Sequence, residues 1–317
     1  MPVVFVFVDG VGAGAPDPEV NPLARVEHLL SRFSDGGGTP LPARGCAVLA
    51  DARLGVPGRP QSATGQSTIL TGVNAPRLVG RHLLGFPNAP LRELLQARSL
   101  FRTLAAAGGR AVFANAYPVA YLRALGLAAD GEPEFEIRSG PGRRRARAAA
   151  TTVAYHAGAG RFRTWADAAR GEGLTHDITG ERANAHGARI PHRTPEEAAG
   201  ILLRLARGHD LALFEFFESD EAGHARSMER ALDALGRLDR FLRALLDGLG
   251  PADALVVASD HGNVEDLSTR NHTLAPVPVL GFFRAAGRMA EVRDLTHLAP
   301  LLLSLCATGE DLPRARG

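Results

Sequence analysis

No lysine occurs anywhere in the 317 residues, so all 36 basic side chains are arginine. The absence is a bias of composition, and it excludes any mechanism that needs a lysine. Cysteine is nearly absent too. Cys46 and Cys306 stand far apart in apolar surroundings with no CxxC-type partner, so two inert core thiols in a reducing compartment are expected. Excess charge of either sign is also missing. At a formal +2, nothing in the chain demands a nucleic acid or a membrane as partner. No apolar run approaches the length of a membrane span. The opening MPVVFVFVDGVGAGA has the apolar stretch and small residues of a secretory signal, but it lacks a basic start and Asp9 interrupts it early. A soluble, cytoplasmic protein is expected.

What is present is apolar. With 45% hydrophobic residues, the chain can bury a large core as one big domain or two smaller ones. Three segments share a design: VVFVFVD (3–9), LALFEFFESD (211–220) and ALVVASDH (254–261) are mostly apolar and end in a carboxylate. Short continuous apolar runs fit strands buried on both faces of a parallel sheet. Between the last two lies a stretch with helical apolar spacing that ends at Gly248 and Gly250. Strand, helix, strand is the unit of an α/β fold, whose ligands bind at the carboxyl ends of the strands. All three acids therefore point to one sheet edge. Further helices are expected at about 91–107, 195–207 and 296–306, with a strand at 111–115. From about 116 to 190 the texture becomes rich in Gly and Arg. This stretch reads as a small inserted cap or lid between core halves 1–115 and 191–317.

Several residues could do chemistry. In RPQSATGQSTILTG (59–72), ATGQSTILT reads as a short helix with Ser62 at its N-cap. A serine there is most often a plain cap. It is equally placed as a nucleophile at a helix N-terminus, where free amides favour a phosphate group. Serine needs a base or a metal to become reactive. DEAGH sets Asp220 and His224 four residues apart at a strand exit, DHG offers Asp260 and His261 at another, RNHTLAPVPVL adds His272, and Asp9 closes the first strand. Taken singly, each is an ordinary turn or loop residue. Together, six carboxylate and imidazole ligands plus a serine oxygen suffice for two ions, and this donor set suits Zn²⁺ or Mn²⁺.

In their order along the chain, Asp9, Ser62, DxxGH (220–224), DHGN (260–263) and NHT…PVP (271–278) resemble the alkaline phosphatase superfamily. They are most similar to its branch of cofactor-independent phosphoglycerate mutases and phosphopentomutases. The resemblance covers about 1–75 and 210–280, and SDHGNVED and DEAGH are its most specific parts. It implies one ion held by Asp9, Ser62, Asp260 and His261, and a second held by Asp220, His224 and His272. It also implies in-line attack by Ser62 to form a phosphoserine, followed by transfer to water or a hydroxyl. Asp260 and His261 would then be paired ligands, with Gly262 letting the backbone turn tightly beneath them. The chain departs from the phosphoglycerate mutases in having no lysine, little inserted sequence, and Gln66 where they commonly carry His. The Cys/Ser-x-Pro-x-Arg signature of sulfatases is absent.

Other readings explain less. DGVGAGA after a strand has GxGxG rather than GxGxxG spacing, and a dinucleotide site would leave the His/Asp set unexplained. RSGPGRRRARAAA is a short basic run of the kind that is usually a solvated loop. Alternatively, Arg143, Arg144, Arg145 or Arg147 could clamp a substrate phosphate, and Arg81 and His82 could sit at the pocket rim. His28, His156, His176, His186, His192, His209 and His297 have no ligand spacing and are left out of the site. The expectation is an α/β fold with a mostly parallel central sheet, helices on both faces and a small inserted cap. Its expected activity is metal-dependent phosphoryl transfer on a small phosphorylated substrate, as a phosphomonoesterase or phosphomutase, leaning towards hydrolysis. A phosphodiesterase on the same site, or a metal-binding relative without turnover, is the alternative.

Overall fold

A computed structural model describes residues 1–127 and 146–307. Its strands are β1 (Val3–Val8), β2 (Cys46–Ala50), β3 (Ala111–Phe113), β4 (Ala116–Tyr117), β5 (Arg163–Thr164), β6 (Leu211–Phe216), β7 (Ala254–Ser259) and β8 (Val277–Phe283). Six of them form one sheet in the order β2-β8-β7-β1-β6-β3. The run β7-β1-β6-β3 is parallel, while β8 pairs antiparallel with both β7 and β2. Every residue of β1, β6 and β7 is buried, which is why these strands read as unbroken apolar runs rather than alternating ones.

Alternation appears instead in which layer each side chain joins. Val3, Phe5 and Phe7 of β1 pack with Leu213 and Val256 against the helices Ser62–Thr71, Ala89–Arg98, Ala150–Ala157 and Leu298–Cys306. Val4, Val6 and Val8 pack with Phe214 and Val257 against Pro195–Arg207 and Met228–Gly248. Helices on both faces of a mostly parallel sheet make an α/β fold. No described helix is long and apolar enough to cross a membrane.

Register sets the functional edge. Val8 lies beside Ser259 on one side and Phe216 on the other, so Asp9, Asp260 and the turn after β6 emerge together at the carboxyl ends.

Local polar groups cut elements that apolar spacing runs together. The helix expected at 91–107 is two helices, Ala89–Arg98 and Leu100–Ala106. At Ser99, which is extended, the hydroxyl caps Arg102 N and also donates to Ala154 O. Between β6 and β7 the chain forms Glu218–Ala225 and Met228–Gly248, broken at Arg226 in the left-handed region (φ 52°) and restarted by the Ser227 cap. The final helix begins at Leu298, after a 3₁₀ turn over Leu295–His297. The strand expected at 111–115 ends at Phe113, although Asn115 still bridges to Leu174.

Within 116–190, β4 and β5 form a separate two-stranded sheet, and Trp165, Ala183 and Ile190 make a small cluster of their own. Helix Ala150–Ala157, by contrast, buries Ala154 and Tyr155 in the main core, where Tyr155 meets the Phe101 and Phe113 rings. Arg143, Arg144 and Arg145 lie outside the described residues.

Candidate metal centre

Ser62 is the first residue of its helix, not the cap. Gln61 takes the extended cap conformation, and its carbonyl accepts from Gly65 N and Thr64 Oγ1. The Ser62 hydroxyl is thereby released from capping and lies 3.0 Å from His261 Nε2. The helix reaches this position because Gly65 has no side chain: a Cβ there would stand 2.9 Å from Asp260 Cβ.

The six acids and histidines gather in two clusters. In one, His261 Nε2 is 3.1 Å from Asp9 Oδ1 and 3.5 Å from Asp260 Oδ2. In the other, His224 Nε2 is 3.2 Å from Asp220 Oδ2, and His272 Nε2 is 3.3 Å from His224 Nε2. The clusters adjoin, since the His261 and His272 rings stack with centroids 3.7 Å apart.

Hydrogen bonding tests whether these residues fit a cation. Asp9 Oδ1 and both carboxylate oxygens of Asp260 are buried without a hydrogen-bond partner. Buried anionic oxygens in that condition are costly unless a positive charge faces them. Burial, followed by the charges of Asp220 and Glu215, pushes the Asp9 carboxyl well above the usual carboxylate range. Burial and then Asp9 do the same to Asp260. In the second cluster His272 Nδ1 lies 2.9 Å from Pro60 O, and His224 Nδ1 lies 2.8 Å from Arg270 O. A carbonyl only accepts, so each Nδ1 carries a proton and each Nε2 is turned inward, the arrangement typical of metal-ligating histidine. Without a cation, the Asp220 hydrogen bond pushes His224 up to about 9, while burial pushes His272 down to about 4. Burial raises the Asp220 carboxyl, but the His224 hydrogen bond and the His261 charge outweigh it and hold it at about 2. Carboxylates and inward imidazoles in this arrangement fit a divalent ion in each cluster.

One buried carboxylate ties the loops together. Glu265 accepts from Gly12 N at 2.9 Å, from Asn263 N at 2.7 Å and from the Thr273 hydroxyl. It thus joins the turn after β1, the turn after β7 and the loop carrying His272. Gly262 is required by this crowding, not by a left-handed turn: a Cβ there would lie 2.2 Å from Glu265 Oε1. Asn263 Nδ2 donates to Asp220 Oδ1 at 2.6 Å, holding a ligand of the other cluster. Both residues stand in the SDHGNVED stretch, but neither shows a ligand pattern from which its role could be read.

Beside the clusters a cavity of 420 Å³ reaches Asp9, Ser62 and Gln66, and its far wall carries Tyr117, His176, Glu215 and Phe217. Burial raises the Glu215 carboxyl to about 7. The legible sign of Glu215 was a single carboxylate inside the apolar run LALFEFF; His176 had none. The Arg147 guanidinium stands 4.5 Å over the Phe86 ring at this cavity's margin. His82 instead faces Val56 O at 3.3 Å, and neither it nor Arg81 lines the cavity.

Comparison with known proteins bears on the family likeness and on the fold. A family model described as the metalloenzyme superfamily matches residues 192–306. The 2,3-bisphosphoglycerate-independent phosphoglycerate mutase of Paracoccus denitrificans is 35% identical over 127 residues, 38% of this chain and 25% of that protein. Its counterpart from Halobacterium salinarum is 34% identical over 105 residues, 30% of this chain and 21% of that protein. The chain therefore spans about a quarter of the length of the curated relatives it matches. Among solved structures, a cold-active alkaline phosphatase from a psychrophilic Shewanella superposes with TM-score 0.54 at 12% identity, over 97% of this chain and all of that one. A Pyrococcus horikoshii protein superposes with TM-score 0.53 at 16% identity, over 99% of this chain and 98% of that one. Over residues 192–306 the chain matches the metalloenzyme superfamily, its sequence likeness is to phosphoglycerate mutases, and its fold is like that of the alkaline phosphatases.

Proposed function

We propose that the protein is a metal-dependent phosphomonoesterase acting on a small phosphorylated substrate through a phosphoserine on Ser62. Asp9, Asp260, His261 and the Ser62 oxygen would hold one divalent ion, and Asp220, His224 and His272 the other, as Mn²⁺ or Zn²⁺. The observation that carries the reading is the Ser62 hydroxyl, free of capping duty and 3.0 Å from His261 Nε2 at the junction of the two clusters. Bound ions would supply charge neutralisation and a lowered hydroxyl pKa. Every other part falls to the chain. The ten-residue helix behind Ser62 directs its N-terminal amides at the incoming phosphoryl oxygens. The Ser62 oxygen forms the bond to phosphorus as the bond to the leaving oxygen breaks, and the serine proton ends on the departing alcohol. Water then takes the phosphoryl group and restores the hydroxyl. Asn263 and Glu265 keep the ligands in register. Residues 116–190 are proposed as the cap over this site, with helix Ala150–Ala157 anchoring it in the core. Hydrolysis is preferred to mutase chemistry because a mutase must seal its phosphoenzyme from water, and the inserted stretch 116–190 is short and Gly-rich.

The test is Ser62→Ala. Turnover of phosphate monoesters should fall at least about a thousandfold, with wild-type metal content, and quenched wild-type protein should carry phosphate on the peptide containing Ser62. Near-normal turnover in the variant would sink the covalent route. Recovery of an isomerised phosphate ester in place of inorganic phosphate would make the protein a mutase.

A further inference from the structure

The cavity that opens on Ser62 has a chemistry of its own. Its 420 Å³ falls within the roughly 300–1,000 Å³ of small-molecule sites. The aromatic residues form a continuous wall. Tyr121 stacks on Tyr117 with centroids 5.4 Å apart, Tyr117 meets His176 edge-on at 5.2 Å, and His176 lies against Phe217 at 4.6 Å. Phe86 adds a further ring.

Hydrogen bonding settles the charge of the histidine. Glu215 N donates to Asn115 Oδ1 at 2.8 Å and Glu215 O accepts from Asn115 Nδ2 at 2.7 Å, which fixes the amide orientation. That same Nδ2 lies 2.9 Å from His176 Nδ1, which must therefore accept, so the ring is neutral. Among the described residues no arginine lines the cavity, and Arg147, at its margin, lies over the Phe86 ring. The polar group left deep in the wall is the Glu215 carboxyl, held on one side by the Thr151 hydroxyl at 3.0 Å.

Such a surface repels a carboxylate and suits a flat, uncharged body with a donor for Glu215. Building on the phosphomonoesterase reading, we propose that this cavity receives the alcohol half of the substrate, and that this half is an uncharged planar ring carrying a hydroxyl or amino donor. Tyr117, Tyr121, His176 and Phe217 hold the ring, and Glu215 selects the donor. A glycerate-like acid finds no cationic partner in the described wall.

Binding tests this apart from turnover. Mn²⁺-loaded wild-type protein is titrated with 4-hydroxybenzyl alcohol, 4-methylbenzyl alcohol and glycerate, and Kd is read by ligand-observed NMR. The hydroxylated ring should bind about tenfold tighter than the methylated one, and glycerate should not bind. Tyr121→Leu, on a half-buried helix position, should weaken both rings about tenfold, and Glu215→Gln should shrink the hydroxyl preference. In parallel, kcat/KM is compared for 4-hydroxybenzyl phosphate and 3-phosphoglycerate, whose leaving groups are both alkyl alcohols; the ring ester should lead by about tenfold or more. Ring binding without phosphate release from any ester would leave the cavity proposal standing and remove the phosphatase reading. Phosphate release from both esters at similar efficiency, without ring binding, would overturn the cavity proposal and leave phosphatase chemistry intact. Absence of both ring binding and turnover overturns it as well.

Discussion

At the scale of single residues, hydrogen-bond direction decides more than residue type. Ser62 and His28 show this in opposite ways. Ser62 gives up the role a serine usually plays at a helix start, so Ser62→Ala should cost no cap. Its thermal unfolding should stay within about 0.5 kcal/mol of wild type, unlike a true cap loss of about 1 kcal/mol. His28, which has no part in the proposed site, is fully committed to the fold. Its Nδ1 accepts from Leu30 N at 2.8 Å, so its Nε2 donates to Leu235 O at 3.0 Å. Burial pushes its pKa down to about 4, with Asp239 opposing and Arg243 reinforcing the shift. Because the folded value lies below the unfolded value of 6.5, the unfolded chain binds more protons between them. The stability linked to His28 is therefore complete above about pH 6.5 and is lost as pH falls towards 4, by at most about 3 kcal/mol. Urea unfolding at pH 7.5 and 5.0 should show wild type losing more stability than His28→Gln over that interval. Equal losses would show that His28 does not titrate with folding.

Among elements, the loops at the sheet edge depend on one another through Glu265. Three separate segments direct a donor at its carboxylate. Glu265→Ala should leave the strands folded but loosen Asp9, Asp220 and His272 together. Divalent-metal affinity, measured by competition with a chelating dye, should weaken about 10- to 100-fold. Unchanged affinity would reduce Glu265 to a core carboxylate. The helix interruptions have the same origin. Apolar spacing extends straight through Ser99 and Arg226, because packing periodicity persists across both breaks. A hydroxyl bound to a carbonyl 55 residues away and a left-handed residue end the helices there. The apolar spacing carries no mark of either break; the serine caps at Ser99 and Ser227 are the local trace of the restarts. The capping box of Thr194 and Glu197, by contrast, is local in sequence, and the helix Pro195–Arg207 matches the expected 195–207.

At the scale of the whole molecule, buried carboxylates without hydrogen-bond partners meet at the carboxyl ends of β1 and β7. Asp9 and Asp260 are buried side by side with oxygens that accept no hydrogen bond. Protein purified without chelator should carry close to two divalent ions per chain, and His272→Ala should lower that number towards one. Chelation should reduce the melting temperature by at least about 5 °C, since cation binding stabilises only the folded arrangement. A stoichiometry that never exceeds one under metal-replete conditions would refute the two-ion centre.

The fold class was legible in the chain itself, while the division of the six ligands into two clusters was what the family resemblance implied. A strand buried on both faces must be continuously apolar, and a carboxylate that ends such a strand must emerge at the sheet's edge. Those constraints act within a few residues, so the amino-acid order alone places Asp9, Asp220 and Asp260 at one edge. Three-dimensional contacts decided the rest: that Ser62 is uncapped, that Glu265 joins three loops, that Gly262 is needed for closeness and not for conformation, and that Glu215 and His176 face the cavity beside Ser62. Each depends on groups far apart in sequence and within hydrogen-bonding distance in space. Local spacing carries no information about such pairs, because only the packing of the sheet and its helices brings them together.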